Sequence, residues 1–345
     1  MPNRSCLKIL LGWNFSREQI LAYRREASSL NERLPASAKS LRLAAWAGLQ
    51  DSMPRAALLS IHARVKGCGS NFWEHPSLVQ LWGPRFNNYV VAAKDLPVFS
   101  LGRLPDNAGR RARAYDAASR LQAILDGRRM PMNQAGKTLG VTPNSLRYAA
   151  PTGTVLLRWD GAHDAVVWSG PPPNMEPRDA RLELARRYLH IFGPSMVSSF
   201  AGWAGIGTSE AKVAFDGLAR ELAPVHTPIG DAWILADDDA VFRKNSGPAP
   251  ARFLPSGDVY FLLWGSDREL LVPDPKRRAE LWTTRVWPGA LLVNGEITGV
   301  WRRSGTKISI DTWRRLSSPE WEVVEAEAAT LPLPGLNGPI TIHRS

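Results

Sequence analysis

One short polar segment of the chain places an amide, a carboxylate and a hydroxyl side by side. Gln50-Asp51-Ser52 lies between a predicted helix over 38–49 and another that begins near Pro54. A carboxylate accepts protons and an amide can hold a water molecule, so this link is the best catalytic candidate in the sequence. The alternative is structural, because Ser is a common N-cap residue and Pro suits the first turn of a helix. The residue types alone leave both interpretations open.

The charge balance indicates a polyanionic partner. The 345 residues include 43 Lys and Arg against 32 Asp and Glu, which gives a net charge of +11. Of the basic residues 34 are Arg, whose planar guanidinium group bonds phosphate oxygens in pairs and stacks on bases. GC-rich codon usage is an alternative explanation for the Arg excess. We predict double-stranded DNA as the partner.

The cysteine and histidine content excludes several classes of site. Cys6 and Cys68 cannot form a disulfide framework, and the six His residues show no HxxxH or HExxH spacing. We therefore predict no metal and no organic cofactor. Apolar runs of signal-peptide or membrane-spanning length are not found in the sequence, which predicts a cytoplasmic, nucleoid-associated protein with no membrane association. No obligate protein partner is predicted.

The clearest structural pattern lies in residues 109–172. A helix with apolar residues at helical spacing precedes Met132–Leu139, Gly140 at a turn and a short capped helix, which is the helix-turn-helix order. Two β-rich runs follow, 154–159 and 165–168, and an Asp-Gly pair at their junction predicts a hairpin. A helix-turn-helix with a hairpin wing is a winged helix.

A similar order is predicted twice more. We expect an α+β chain of three tandem winged-helix domains, over 1–108, 109–172 and 173–237. Residues 237–255 are polar and rich in Pro and Gly, which predicts a linker. Beyond it, over 251–345, an Asn-Gly turn and a second, basic turn predict a β-rich region that ends in a helix.

The predicted DNA contacts follow from the winged-helix geometry. A recognition helix fits the major groove of B-DNA, and a wing can lie along the backbone or the minor groove. The candidate contacts are Asn144, Ser145, Arg147 and Arg158 in the second domain, Ser209 and Lys212 in the third, Arg302, Arg303 and Lys307 in the basic hairpin, and Arg55 and Arg64 beside the link. Two alternatives stay open, since winged helices also serve as protein–protein scaffolds and a basic turn is often simply solvated.

The segment around the link resembles a known family. Trp46 to Arg64, which reads WAGLQDSMPRAALLSIHAR, is similar to the GLQ-containing segment of the winged-helix DNA glycosylases of the AlkZ/YcaQ type. Residues 84–85, 101–105 and 292–302 continue the similarity in the family's order, so it spans nearly the whole chain. The resemblance implies three winged-helix domains in a C-shaped arrangement that embraces DNA, and excision of bulky or cross-linked alkylpurines.

The chain departs from the family at one catalytic position. The family motif is Gln-x-Gln or Gln-x-Asp; here Gln50 stands first, Ser52 stands third and Asp51 lies one residue early. An alkylated, cationic purine is a good leaving group, so the enzyme must mainly stabilise an oxocarbenium-like sugar and place a water. The resemblance thus predicts a monofunctional DNA glycosylase in which Gln50 and Asp51 handle water. The serine keeps an alternative open, namely a non-catalytic DNA-binding protein that acts as a regulator or lesion-shielding factor.

Overall fold

The computed structural model describes residues 13–243, 249–333 and 338–344 and has a mixed α+β architecture; Cys6 lies outside these ranges. Its helices are α1 Arg17–Ala27, α2 Ala38–Ala44, α3 Ala56–Arg64, α4 Leu96–Leu101, α5 Ala108–Leu125, α6 Met132–Leu139, α7 Pro177–Phe192, α8 Val197–Ala204, α9 Thr208–Gly217, α10 Asp239–Phe242, α11 Asp267–Leu271, α12 Pro275–Leu281 and α13 Ser318–Ala329. Short 3₁₀ helices are Phe72–Glu74, Pro84–Phe86, Ala93–Asp95, Pro143–Thr152 and Ala236–Asp238.

The strands form four sheets within the described ranges. They are β1 Trp13–Asn14, β2 Leu49–Gln50, β3 Leu78–Trp82, β4 Asn88–Ala92, β5 Met130–Pro131, β6 Val155–Arg158, β7 Val166–Ser169, β8 Leu222–Thr227, β9 Gly230–Leu235, β10 Arg252–Leu254, β11 Gly289–Val293, β12 Glu296–Ser304, β13 Lys307–Thr312 and β14 Thr341–Arg344. Three sheets have three strands each, in the orders β2-β4-β3, β5-β7-β6 and β1-β8-β9, and the fourth has the order β10-β11-β12-β13-β14.

The first group of helices ends in a turn that shapes the polar link. The helix predicted over 38–49 is shorter and ends at Ala44. Gly48 has a φ of +73°, and a Cβ at this residue would lie 2.9 Å from the ring of Tyr89. Only glycine tolerates this close left-handed turn. The chain therefore leaves the helix and adds Leu49–Gln50 to the sheet as a strand antiparallel to β4.

The elements predicted for residues 109–172 are confirmed. Helix α6 ends at Gly140, whose φ of +68° makes the turn into the 3₁₀ helix Pro143–Thr152. Strands β6 and β7 pair antiparallel as the expected hairpin. Leu121 and Leu125 of α5 pack with Leu146 in one buried cluster. Asn144, Arg147 and Tyr148 of the 3₁₀ helix remain at least partly exposed to solvent.

The third group of elements repeats this order in part. Helices α8 and α9 are separated by Gly205, which has a φ of +71°. The hairpin expected near 228–235 is present and starts earlier, because β8 begins at Leu222. Strand β1 at the start of the described chain pairs parallel with β8 and completes this sheet.

The predicted linker over 237–255 is wrong in part. Asp239–Phe242 forms a helix, and the ring of Phe242 stacks on Tyr23 with the centroids 3.7 Å apart. Arg252–Leu254 forms a strand that pairs with β11. The two segments are ordered because they bury aromatic and aliphatic side chains, which a polar composition does not reveal.

Helix α3 lies in the main hydrophobic core. All nine of its residues, Ala56–Arg64, are buried. The largest hydrophobic cluster joins α3 to the neighbouring sheet, to α7–α9 and to the segment around Phe261. A second cluster packs α13 on the five-stranded sheet, and strand β14 follows this helix, so the prediction that the β-rich region ends in a helix is wrong. The polar link therefore enters a rigid, fully packed helix.

Candidate functional site

Asp51, and not Ser52, caps the helix that follows the link. Helix α3 has Arg55 at its N-cap position, in a left-handed conformation and without a side-chain cap. Asp51 Oδ1 instead accepts a 3.0 Å hydrogen bond from the backbone N–H of Ala57. Ser52 is half-buried and is not the N-cap residue. The link therefore does cap the following helix, as the structural alternative states. The capping group is the carboxylate of Asp51 and not the hydroxyl of Ser52.

The carboxylate of Asp51, which the resemblance predicts to handle water, is buried inside the protein. The residue is 1% exposed, and its Oδ2 accepts a 2.6 Å hydrogen bond from Gln80 Nε2. Burial raises the pKa of this carboxyl from 3.8 to about 6, while the bonds from Ala57 and Gln80 act in the opposite direction. A carboxylate held in this way cannot reach substrate or bulk water. Its geometry is that of a positioning group.

Gln80 connects the link to the hairpin of residues 155–169. Its Oε1 accepts a 2.6 Å bond from Trp159 N, and its Nε2 also donates to Trp159 O at 3.2 Å. Gln80 is 3% exposed, so one buried amide joins Asp51 to the neighbouring hairpin. Sequence reasoning missed this residue. The available signal was a single polar residue inside the otherwise apolar strand Leu78–Trp82.

Gln50 has a free acceptor at the edge of the sheet. Its side chain packs on Gly257, where a Cβ would lie 2.9 Å from Gln50 Nε2 and where φ is +73°. Gln50 Oε1 is buried and has no hydrogen-bond partner within the part of the chain that the structure describes. A buried unpaired carbonyl oxygen favours a water molecule or a ligand donor at that position. Gln50 Oε1 can therefore accept a hydrogen bond from a buried water, and Gln50 itself lines neither of the two clefts described below.

The prediction of Arg64 as a DNA contact is wrong. Arg64 is 1% exposed, and its two terminal nitrogens each lie 2.7 Å from an oxygen of Asp258. Ser60 Oγ donates a further 2.6 Å bond to Asp258. A guanidinium group in such a bidentate, desolvated pair is not available to phosphate. Its role is to hold residues 257–258 against the link.

The link separates two open clefts. On one side Ser52 lines a cleft of about 320 Å³ together with the 3₁₀ helix of residues 143–152, and we call it the second-unit cleft. Its polar lining includes Asn87, Asn88, Asn144, Arg147 and His163. On the other side Met53 and Pro54 line a cleft of about 470 Å³ with Arg302 and Arg303, which we call the hairpin cleft. Predicted DNA contacts therefore lie on both sides of the link.

Two of the predicted contacts stack on one tryptophan. The guanidinium carbons of Arg55 and Arg158 each lie 3.9 Å from the ring centroid of Trp73. Arg158 also pairs with Glu74 at 2.7 Å. Cation–π stacking and the ion pair fix both side chains and offset part of their charge. Both arginines therefore lie on the ring of Trp73, and neither lines one of the two clefts.

The remaining predicted contacts occupy separate surfaces. Ser209 and Lys212 are exposed at the start of α9, and Lys212 pairs with Asp216 at 2.7 Å. Lys307 is exposed at the hairpin tip, opposite Ser304 in the β12–β13 register. Ser145 lines another cavity, described below. The structure does not bring these residues to the link.

The described residues contain neither a metal-binding cluster nor a membrane-spanning helix. No group of three or more His, Cys, Asp and Glu side chains is placed to hold a metal ion in residues 13–243, 249–333 and 338–344. In the same ranges no helix has both the length and the apolar character needed to cross a bilayer.

Comparison with known proteins identifies the family. The profile described as DNA glycosylase AlkZ-like matches residues 43–332. This range includes the link, both clefts and the β6–β7 and β12–β13 hairpins. The chain belongs to the AlkZ-like DNA glycosylase family. The matched range includes both Gln50 and Ser52.

Relatives from one organism agree with this assignment. An interstrand DNA cross-link repair glycosylase of Streptomyces sahachiroi is 24% identical over 158 residues, which cover 45% of this chain and 42% of that protein. The chain thus spans less than half the length of that relative in the alignment. The solved structure of Streptomyces sahachiroi DNA glycosylase AlkZ superposes with a TM-score of 0.78 at 17% identity, over 96% of this chain and 100% of that chain. This likeness confirms the predicted mixed α+β fold.

Proposed function

We propose that this protein is a monofunctional DNA glycosylase that hydrolyses the N-glycosidic bond of bulky or alkylated purines in duplex DNA. Family membership supports the reaction class. The observation that carries the proposal is the position of the Gln50–Ser52 link between two clefts with arginines, Arg147 on one side and Arg302 on the other. A duplex laid across the link would meet cations on both flanks.

The chemistry assigns different roles to the residues of the link. Gln50 Oε1, which has no partner in the described structure, accepts a hydrogen bond from the attacking water. Ser52 faces the second-unit cleft and offers a hydroxyl close to the nucleotide. Asp51 acts through Gln80 and α3 by fixing the backbone of the link, so it is a positioning residue. A cationic purine leaves as a neutral base without a general acid, water adds to C1′ of the sugar, and the surplus proton of that water passes to solvent, because neither Gln50 nor Ser52 is a base.

DNA binding is assigned to the surfaces on either side of the link. We propose that residues 13–108, 109–172 and 173–237 include three winged-helix modules and that their cationic faces share one duplex. Asn144 and Arg147 would contact the duplex from the second module. Arg302, Arg303 and Lys307 would contact it from the hairpin, and Ser209 and Lys212 from the third module. Arg55 and Arg158 would support the surface from the Trp73 stack.

The decisive experiment measures base release. Purified protein is incubated with duplex that carries a single N7-methylguanine, and free base is quantified. We expect release by the wild type, a loss of about 100-fold for Gln50→Ala and unchanged duplex affinity, because the amide acts on water and not on the backbone. Gln122→Ala, at an exposed glutamine of α5, is the matched control. Equal rates for the Gln50 and Gln122 variants would remove Gln50 from the mechanism.

A second candidate function is a non-catalytic lesion-binding protein. It is favoured by the third motif position, where Ser52 carries no charge, and by the burial of Asp51, which cannot replace a base there. Intact lesion in every reaction together with tight duplex binding would establish this candidate. Ser52→Asp sharpens the test, because a restored carboxylate in the second-unit cleft should raise release about 10-fold or more if a base is the missing group.

A further inference from the structure

A large cavity lies away from the link. It has a volume of about 780 Å³ and uses the other face of the 3₁₀ helix of residues 143–152, through Ser145, Leu146 and Tyr148. One face of α5 and the loop 205–207 complete its walls. None of residues 50–54 lines it. The cavity is therefore separate from the link, and it shares only Phe86 with the second-unit cleft.

An arginine without a counter-ion forms part of its wall. Arg103 is 3% exposed, and its Nε and Nη1 donate to the backbone oxygens of Ala204 and Trp82 at 3.1 and 2.9 Å. Its Nη2 is buried and has no hydrogen-bond partner in the ranges that the structure describes. Burial lowers the pKa of Arg103 to about 9. A buried cation with a spare donor is costly unless an anion compensates it.

The surroundings of Arg103 are aromatic and apolar. Its guanidinium carbon lies 4.8 Å from the ring centroid of Phe86. Phe86 in turn meets Tyr148 edge to face, with ring centroids 5.2 Å apart. Leu146 and Ile206 add aliphatic surface to the same cavity. These side chains suit a flat apolar group, since aromatic rings favour stacked and edge-on contacts.

The mouth of the cavity is cationic. Arg110, Arg113 and Arg120 line it from one face of α5 and are exposed. Two acids also line it, but the carboxylate of Glu210 already accepts 2.7 Å bonds from the backbone N–H groups of Gly207 and Asp106. Asp116 is the other acid, so four arginines face two carboxylates. The field at the mouth therefore favours anions.

We propose that this cavity binds a small organic anion with a flat apolar body, whose acid group pairs with Arg103 Nη2 and whose ring packs against Phe86 and Tyr148. A DNA phosphate is a poorer occupant, because it carries a nucleoside on each side and cannot bring a terminal acid group into the cavity to meet Arg103. The cavity also has the size and the mixed lining of small-molecule sites. This ligand site goes beyond the proposed base excision and does not depend on it.

The test uses the full chain without DNA and a fluorescent probe of this chemistry, 8-anilinonaphthalene-1-sulfonate. We expect saturable binding of one probe per chain. The double variant Arg110→Gln/Arg113→Gln should weaken binding about 10-fold. Ala117→Trp, which fills the cavity from α5, should abolish it. The matched control is Arg178→Gln/Arg220→Gln, which removes two exposed arginines elsewhere and should bind like the wild type.

Three outcomes would overturn the proposal. One is equal affinity for N-phenyl-1-naphthylamine, which has a similar ring body without the acid. Another is an affinity that does not differ between the two double variants. The third is displacement of the probe by unmodified duplex with the same midpoint as duplex binding, which would assign the cavity to the DNA surface. Because no base release is measured, failure here is distinguishable from failure of the glycosylase proposal. Thermal unfolding of each variant identifies a protein that has lost its fold.

Discussion

Two regions of the molecule carry arginines in similar helical contexts and place them in opposite environments. In α3, Arg64 is buried and pairs with Asp258, whereas in the 3₁₀ helix of residues 143–152, Arg147 lines an open cleft. Helix α3 is packed on all sides, while the 3₁₀ helix keeps one face towards solvent. The comparison teaches that a basic residue near a functional motif is a phosphate ligand only where the tertiary structure leaves it uncompensated.

Replacing the buried arginine should give the largest effect. Arg64→Met leaves Asp258 without its cation, so we expect the free energy of unfolding to fall by about 3 to 5 kcal/mol. Arg147→Met should change it by about 1 kcal/mol or less, because this side chain faces a cleft. Urea unfolding at pH 7 measures both. If the Arg64 variant bound DNA more weakly while its stability was unchanged, Arg64 would be a phosphate contact after all.

The buried carboxylate of the link should make stability depend on pH. The folded-state pKa of Asp51, about 6, lies above its ordinary value of 3.8, so the folded protein binds a proton more tightly than the unfolded chain. Its contribution is fully present below pH 3.8 and is lost as the pH rises through 6, by about 3 kcal/mol at most. The stability of the wild type relative to Asp51→Asn should fall over that range in urea titrations. A difference that is independent of pH would contradict the raised pKa.

Breaking the connection between the link and the β6–β7 hairpin should lower the turnover rate more than it weakens DNA binding. Gln80→Leu removes the bonds to Asp51 and Trp159 and keeps a similar side-chain volume. We expect kcat for base release to fall about 10- to 100-fold through misplacement of the link, with KM changed less than about 3-fold. Gln122→Leu serves as the surface control. A rise in KM at constant kcat would place Gln80 in DNA binding instead.

The exposed arginines should give the smallest effects. Arg147→Gln and Arg302→Gln should each lower duplex affinity by about 1 kcal/mol and reduce the slope of log affinity against log salt concentration by about 1. Fluorescence anisotropy between about 50 and 200 mM salt gives both quantities. Arg178→Gln, at an exposed arginine that lines neither cleft, should leave the slope unchanged. If Arg178 contributes as much as Arg147, the duplex does not occupy the second-unit cleft.

Much of the second unit was predictable because local interactions determine it. Gly140 at the helix end and the Asp160-Gly161 turn act over a few residues, and the helices and hairpin around them are present as predicted. The link was also identifiable, since its resemblance to the family lies in consecutive residues. The early end of the preceding helix was not predictable from nearby residues. The turn at Gly48 packs against the ring of Tyr89, which lies 41 positions away in the sequence.

The sequence by itself determined the basic charge, the α+β class and the position of Gln50 in the link. Only the tertiary structure decided which polar groups are buried. Asp51 is buried because Gln80, 29 positions away, supplies a donor, and Arg64 because Asp258, 194 positions away, supplies a counter-charge. Burial of a charge depends on partners from distant parts of the chain, so the spacing of residues around a motif does not reveal it.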